Sequence, residues 1–225
     1  MQASADVTAL EFQKYERRAR RRERAPEPAW ASYGGRRRAG GSGPRLSVVI
    51  PCRDHAQRLR AMLPRVDNAL NACAMLAELI VVDCASRDDS CVVIDAWRGV
   101  PGFRAIAAES GLWGVGAVTR GLAEARGDAA IVLSAEISHT PWLIRDLVAS
   151  WRADSVLAYV WRDADTGNEL QMSWSRGMFE EVRSRPNKPL PPELTSLCLF
   201  DREVVDYLVY GRAAVSPSDE YYGAD

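Results

Sequence analysis

Chemistry in this sequence gathers where short apolar runs stop. Ile50 is followed by Pro51, Cys52, Arg53 and Asp54, Val82 by Asp83, and Leu133 by Ser134, Ala135 and Glu136. Each run is β-branched and of strand length, and in an open parallel sheet the ligand sits beyond the carboxyl ends of the strands. Acids and a guanidinium at such ends suit an anionic ligand, N–H groups or a hard cation. Gly111, Gly114 and Gly116 precede a helical stretch, where bare backbone can come close to a diphosphate; a glycine-rich turn is a weak signal by itself.

The elements that must position these residues alternate. Strands are expected at Leu46–Ile50, Leu79–Val82, Arg104–Ala107, Ala129–Leu133 and Val156–Val160. Helices are expected at His55–Cys73, Ser90–Trp97, Val115–Arg126, Pro141–Trp151 and Met172–Arg183, with an extended piece at Thr195–Phe200 running into a helix near Arg202. This order implies an α/β fold, a mostly parallel sheet flanked by helices. A hydrophobic fraction of 47% and a charged fraction of 26% are those of a soluble globular protein. One domain, residues 45–210, is expected to hold the core.

Outside that region the composition changes. Residues 1–44 pass from an Arg-rich stretch into Gly, Pro, Ser and Arg, and are expected to be a disordered basic arm. Val7–Glu23 could form a basic helix resting on an anionic membrane or a partner, or simply a solvated arm. Residues 211–225 carry Asp219, Glu220 and Asp225 and are expected to be a flexible acidic tail. Lys14 and Lys188 are the only lysines, which reads as genome composition. No run reaches the length of a membrane span, and no apolar core follows the N-terminal charges, so a cytoplasmic place is expected, with peripheral membrane contact left open. Five cysteines form neither an even disulfide set nor a CxxC pair, and are expected to be reduced and mostly buried.

The segments LSVVIPCRDHAQRLRAML and AELIVVDCASRDDS, followed by GVGAVTRGLAEARGDAAIVLSAEISHTP, resemble glycosyltransferase family 2, whose members have the GT-A (Rossmann-like) fold. The later segments WRDADTGN, SWSRGMFEEV and ELTSLCLFDREVVDYL resemble polyprenol- and dolichol-phosphate mannosyltransferases. The resemblance covers about 165 residues in order and spacing. It implies that Asp83 hydrogen-bonds the base of a GDP- or UDP-linked sugar and that Pro51 walls the nucleotide pocket, with Arg53, Gly116 and Ser134 beside them. It also implies that Arg162, Ser175 and Arg176 grip phosphates of donor or lipid acceptor, a task guanidinium suits through its planar fork.

Departures from the family pattern cluster at the same place. The family's DxD metal motif reads Ser134, Ala135 and Glu136, so Glu136 alone is left to hold Mg2+ or Mn2+, with the metal weakened or lost. The second acid after Asp83 is Cys84, and the late Ser-Gly-Phe-Arg reads Ser196, Leu197, Cys198 without its Arg. Arg53 offers a guanidinium that could take over part of the metal's charge.

Two functions therefore stand. One is a hexosyltransferase that passes a sugar to a polyprenyl phosphate or another acceptor, with Glu136, Arg162 and Arg176 in the catalytic set. The other is a catalytically silent relative that serves as a protein partner or regulatory subunit. No nucleic acid is expected as partner. His55 reads as a helix-start residue and His139 as a loop residue bonding backbone; two histidines do not build a metal site. Asp88 and Asp89 read as helix caps. Trp113 and Trp161 could cover a sugar or base, or pack internally. No nucleophile elbow occurs, which argues against a hydrolase.

Overall fold

The structure is a computed structural model and describes residues 45–73, 75–109, 111–135, 142–162, 169–184 and 197–211. In chain order the elements are β1 Arg45–Cys52, α1 Ala56–Ala72, β2 Leu76–Asp83, α2 Ser90–Trp97, β3 Phe103–Ala107, α3 Val115–Ala123, β4 Ala129–Leu133 and α4 Trp142–Arg152. They continue with β5 Ser155–Arg162, β6 Glu169–Ser175, α5 Arg176–Arg183, β7 Leu197–Asp201, α6 Arg202–Asp206 and a single π-helical turn, Tyr207–Gly211. The arm, the acidic tail beyond Gly211, Glu136 and His139 lie outside the described residues.

The seven strands form one sheet in the order β3-β2-β1-β4-β7-β5-β6. β1 pairs in parallel with β2 and β4, and β2 with β3. β7 is antiparallel to both β4 and β5, so β5 points the same way as β4, and only β6 and β7 run backwards. The expected mostly parallel α/β sheet is what forms.

Both faces of the sheet are covered, which explains why the strands read as unbroken apolar runs. Leu46, Val48 and Ile50 of β1 point to one side and pack with Leu59 and Leu63 of α1, Ile94 of α2 and Leu147 of α4. Val49, Ile80 and Val82 point to the other and meet Val118 and Leu122 of α3, Phe179 of α5 and Val204 of α6. All five cysteines are buried and none forms a disulfide.

One expected element differs. The helix expected from Met172 begins only at Arg176, because Glu169–Ser175 forms β6 and pairs with β5 from Arg162↔Glu169 to Ser155↔Ser175. Leu170, Met172 and Trp174 alternate with polar residues at period two, a strand pattern that the neighbouring helical period masks.

The lower edge of the sheet is tied by side chains. Trp151 Nε1 donates to Asp201 Oδ2 at 2.7 Å, while Asp201 Oδ1 accepts the Glu203 amide at 3.1 Å and starts α6. Trp151→Phe keeps the packing and removes one hydrogen bond to a carboxylate. The expected cost is about 1.5 kcal/mol, read in thermal melts as a fall of roughly 3–6 °C.

Candidate functional site

In the order 3-2-1-4 the chain reverses at β1. α1 and α2 cross on one face, whereas the connection from β3 to β4 crosses on the other through α3. Such a switch point leaves a crevice between β1 and β4 at their carboxyl ends, where ligands of this architecture bind. Pairing of β1 with β4 ends at Val49↔Val132, while pairing with β2 continues through Pro51↔Val82 to Cys52↔Asp83. The strands part at buried Pro51, whose ring offers no N–H to a ladder.

Cys52 is level with Asp83 at the carboxyl end of the β1–β2 pair, and β4 ends at Leu133, two residues before Ala135. Ser134, directly after β4, is half-buried.

The loops after β1 and β2 are locked together by short polar side chains. Asp83, 2% exposed, accepts at Oδ1 from the Ser86 amide (3.1 Å) and the Ser86 hydroxyl (2.5 Å). The Ser86 oxygen accepts from the Asp54 amide at 2.9 Å. Asp54 holds φ 55°, a left-handed conformation that Asp tolerates better than most residues. Its Oδ1 returns the connection by accepting the amides of Arg87 (2.5 Å) and Asp88 (3.2 Å).

Asp88 then accepts the Ala56 amide at Oδ2 (2.9 Å) and the Ser90 amide at Oδ1 (2.8 Å), so one carboxylate starts both α1 and α2. Capping by Asp88 is as expected; Asp89 holds the N-cap position of α2 but makes no side-chain cap bond. His55 precedes α1, also without a cap bond, and its Nδ1 accepts the Arg53 amide at 3.3 Å.

Two thiols border Asp83. Burial, then the negative charge of Asp83, drives the Cys52 thiol far above its ordinary range. Cys84 is pushed up to about 11 by burial and Asp83, against the downward pull of the Arg53 guanidinium. Both stay protonated at neutral pH and neither is a nucleophile. The pull on Cys84 also places the Arg53 charge beside the end of β2.

The remaining expected residues divide between the two edges of the sheet. The loop after β3 brings Gly111 (φ +99°) and Gly114 (φ +56°) to the carboxyl edge; Gly116 lies in the first turn of α3, where a Cβ would meet Leu112 at 2.7 Å. Trp113 packs against the core beneath. Arg162 ends β5 and therefore reaches the same edge, its side chain and that of Trp161 lying outside what is described.

Ser175 and Arg176 do not join them. Because β6 runs backwards, Ser175 is level with Ser155 at the start of β5, on the opposite edge, and Arg176 is paired there with Glu203. The hairpin of β5 and β6 therefore does not bring this pair to the edge that Arg162 reaches. Sequence reasoning also missed Arg58. From the first turn of α1 its Nη1 donates to the Ala135 carbonyl at 3.4 Å, which sets a cation at the end of β4.

These features define an α/β protein whose mostly parallel sheet reverses its strand order at β1. A model of glycosyl transferase family 2 matches residues 47–208, and the chain belongs to that family. An uncharacterized glycosyltransferase of Synechocystis sp. is 26% identical over 163 residues, covering 72% of this chain and 51% of that one. A dolichol-phosphate mannosyltransferase of Pyrococcus furiosus is 31% identical over 116 residues, 51% of this chain and 32% of that one. A mannosyltransferase of Pyrobaculum calidifontis, solved in complex with GDP-Man and Mn2+, superposes on 91% of this chain and 56% of its own with a TM-score of 0.50 at 19% identity. That likeness establishes the GT-A fold. The chain spans about half or less of the length of the curated relatives it matches. Among the described residues no helix is long and apolar enough to cross a membrane.

Ser134 and Ala135 supply no carboxylate, and among the described residues no group of three His, Cys, Asp or Glu could hold a metal ion. A hard cation takes six or more oxygens, preferably charged ones. Glu136, the residue expected to hold the metal, lies outside the described residues.

Proposed function

We propose that the chain transfers a sugar from a nucleoside diphosphate to a polyprenyl phosphate or another phosphorylated acceptor. The observation that carries this reading is the register that sets buried Asp83 level with Cys52 at the switch point, with Arg58 bonded to the Ala135 carbonyl just past the end of β4. Asp83 offers an acceptor-only group suited to the N–H edge of uracil or guanine, and the Arg58 guanidinium near the end of β4 suits a diphosphate.

In this reading an acceptor phosphate oxygen forms a bond to the anomeric carbon as the bond to the β-phosphate oxygen breaks, and the nucleoside diphosphate leaves with the electron pair. The nucleophile is already an anion, so no general base is required. The chain's task is to orient the two phosphates and stabilise charge on the leaving group. In this reading Arg162, at the end of β5, holds the acceptor phosphate. Dolichol phosphate and GDP-Man, named for the relatives above, are the first substrates to try.

The test is calorimetry of the full chain with UDP- and GDP-sugars. One of them should bind, and Asp83→Asn should weaken that binding at least tenfold, the loss of one charge-assisted hydrogen bond, with its melting temperature near wild type. A folded protein that binds no nucleotide sugar would overturn the reading in favour of a silent partner. A large loss of stability in Asp83→Asn without loss of affinity would make Asp83 a structural anchor for Ser86.

A further inference from the structure

The loops that follow β1 and β2 each contain one residue in the left-handed region, Asp54 (φ 55°) and Ala85 (φ 58°). Non-glycine residues adopt that region at a cost, and it persists where the surrounding structure over-determines it. At Ala85 it turns the chain so that Ser86 comes back over the end of β2. The Ser86 amide and hydroxyl then both reach Asp83 Oδ1, at 3.1 and 2.5 Å.

A hydroxyl has one proton, and the bond it accepts decides where that proton points. The Asp54 amide can only donate, and it does so to Ser86 Oγ at 2.9 Å. The Ser86 proton is therefore directed at Asp83. Asp54 is held in turn, because its Oδ1 accepts the amides of Arg87 and Asp88 from the loop it faces. Rotation of the Asp83 carboxyl group about its Cβ–Cγ bond would break both bonds from Ser86. A carboxylate accepts about four hydrogen bonds, so its capacity exceeds the two that Ser86 supplies.

We infer that Ser86 is a positioning residue for base selection: it fixes the Asp83 carboxylate in the orientation that meets a ring N–H, and Asp54 holds Ser86 in place. This role rests on the nucleotide-sugar reading and deepens it by assigning how the site tells bases apart. Uracil and guanine carry a ring N–H where cytosine and adenine carry a bare nitrogen lone pair. A carboxylate fixed opposite that position bonds the first pair and repels the second. One that is free to turn can instead accept from the exocyclic amino group of cytosine or adenine, and discrimination falls. A pre-set orientation also removes an ordering cost from binding.

Calorimetric titration of the full chain with UDP, CDP, GDP and ADP, with Mn2+ present, tests it. Wild type should favour UDP over CDP, or GDP over ADP, by on the order of a hundredfold. Ser86→Ala should narrow that ratio about tenfold, the scale of one hydrogen bond to a charged group, at a temperature where circular dichroism shows the variant folded. Ser86→Thr, which retains the hydroxyl, should restore the ratio. A Ser86 with only a structural role would lower the melting temperature and leave the ratio unchanged, because the paired nucleotides share ribose and diphosphate. Should Ser86→Ala fail to fold, Asp54→Gly takes its place: it keeps the left-handed backbone, removes the acceptor of the Arg87 and Asp88 amides, and should narrow the ratio in the same direction. An unchanged ratio in the folded variant, or a wild type that binds without preferring either base, overturns the inference and leaves the transferase reading standing. A folded wild type that binds none of the four removes the two together.

Discussion

Gly121→Val should lower stability by about 3 kcal/mol and the melting temperature by roughly 6–12 °C. α3 crosses the sheet at Gly121, where even a Cβ would fall inside contact distance of Val49 and 2.9 Å from Val82 Cγ2. Both valines are fully buried on the two central parallel strands, and β-branched side chains have little rotamer freedom with which to yield. The helix must therefore lift off the sheet. Its amino end carries the Gly114 turn at the carboxyl edge, so the cost is paired with a displaced loop beside the crevice. Gly121→Ala should fall between, since the added methyl still collides while better helix propensity returns about 1 kcal/mol. Calorimetric melts of the three proteins measure this; a Val variant within a degree of wild type would show that α3 does not approach so closely.

Asp88→Ala should cost about 2 kcal/mol, because one carboxylate caps two helices and each lost cap is worth about 1 kcal/mol. The amides of Ala56 and Ser90 both lose their acceptor. The effect should depend on pH in a definite direction. Partial burial raises the Asp88 carboxyl, but hydrogen bonds from Ser90 and Ala56 and the nearby His55 outweigh it, so its folded value lies below the ordinary one. A carboxylate depressed on folding contributes stability above its unfolded value, near 3.9, and loses it as pH falls through the folded value. The stability difference between wild type and Asp88→Ala should be constant from pH 7 to about 5 and shrink below about 4. Asp88→Asn should show a smaller loss without that pH dependence. Chemical denaturation at several pH values reads both, and a difference that grows toward acid would contradict the capping role.

What was legible in the chain follows from periodicity. Unbroken apolar runs such as Val48–Ile50 and Leu79–Val82 mark strands covered on both faces, and the end of each run located a carboxyl end of the sheet and with it Asp83. Asp88 could be read as a cap from its place two residues before a helix, a strictly local relation. The helical stretch at Met172 misled, because seven residues of strand and eight of helix adjoin there without a turn residue between them.

The tertiary structure decided the rest, because it concerns which distant segments share an edge. Ser175 and Arg176 lie close in sequence to Arg162, yet the β5–β6 hairpin carries them to the far side of the sheet. Arg58 and Ala135 are 77 residues apart, and only the crossover that seats β4 beside β1 brings a helix-start cation to the end of that strand. Local pattern reflects the hydrogen-bonding and burial needs of single elements, and it is silent about strand order, which is settled by the packing of both faces at once.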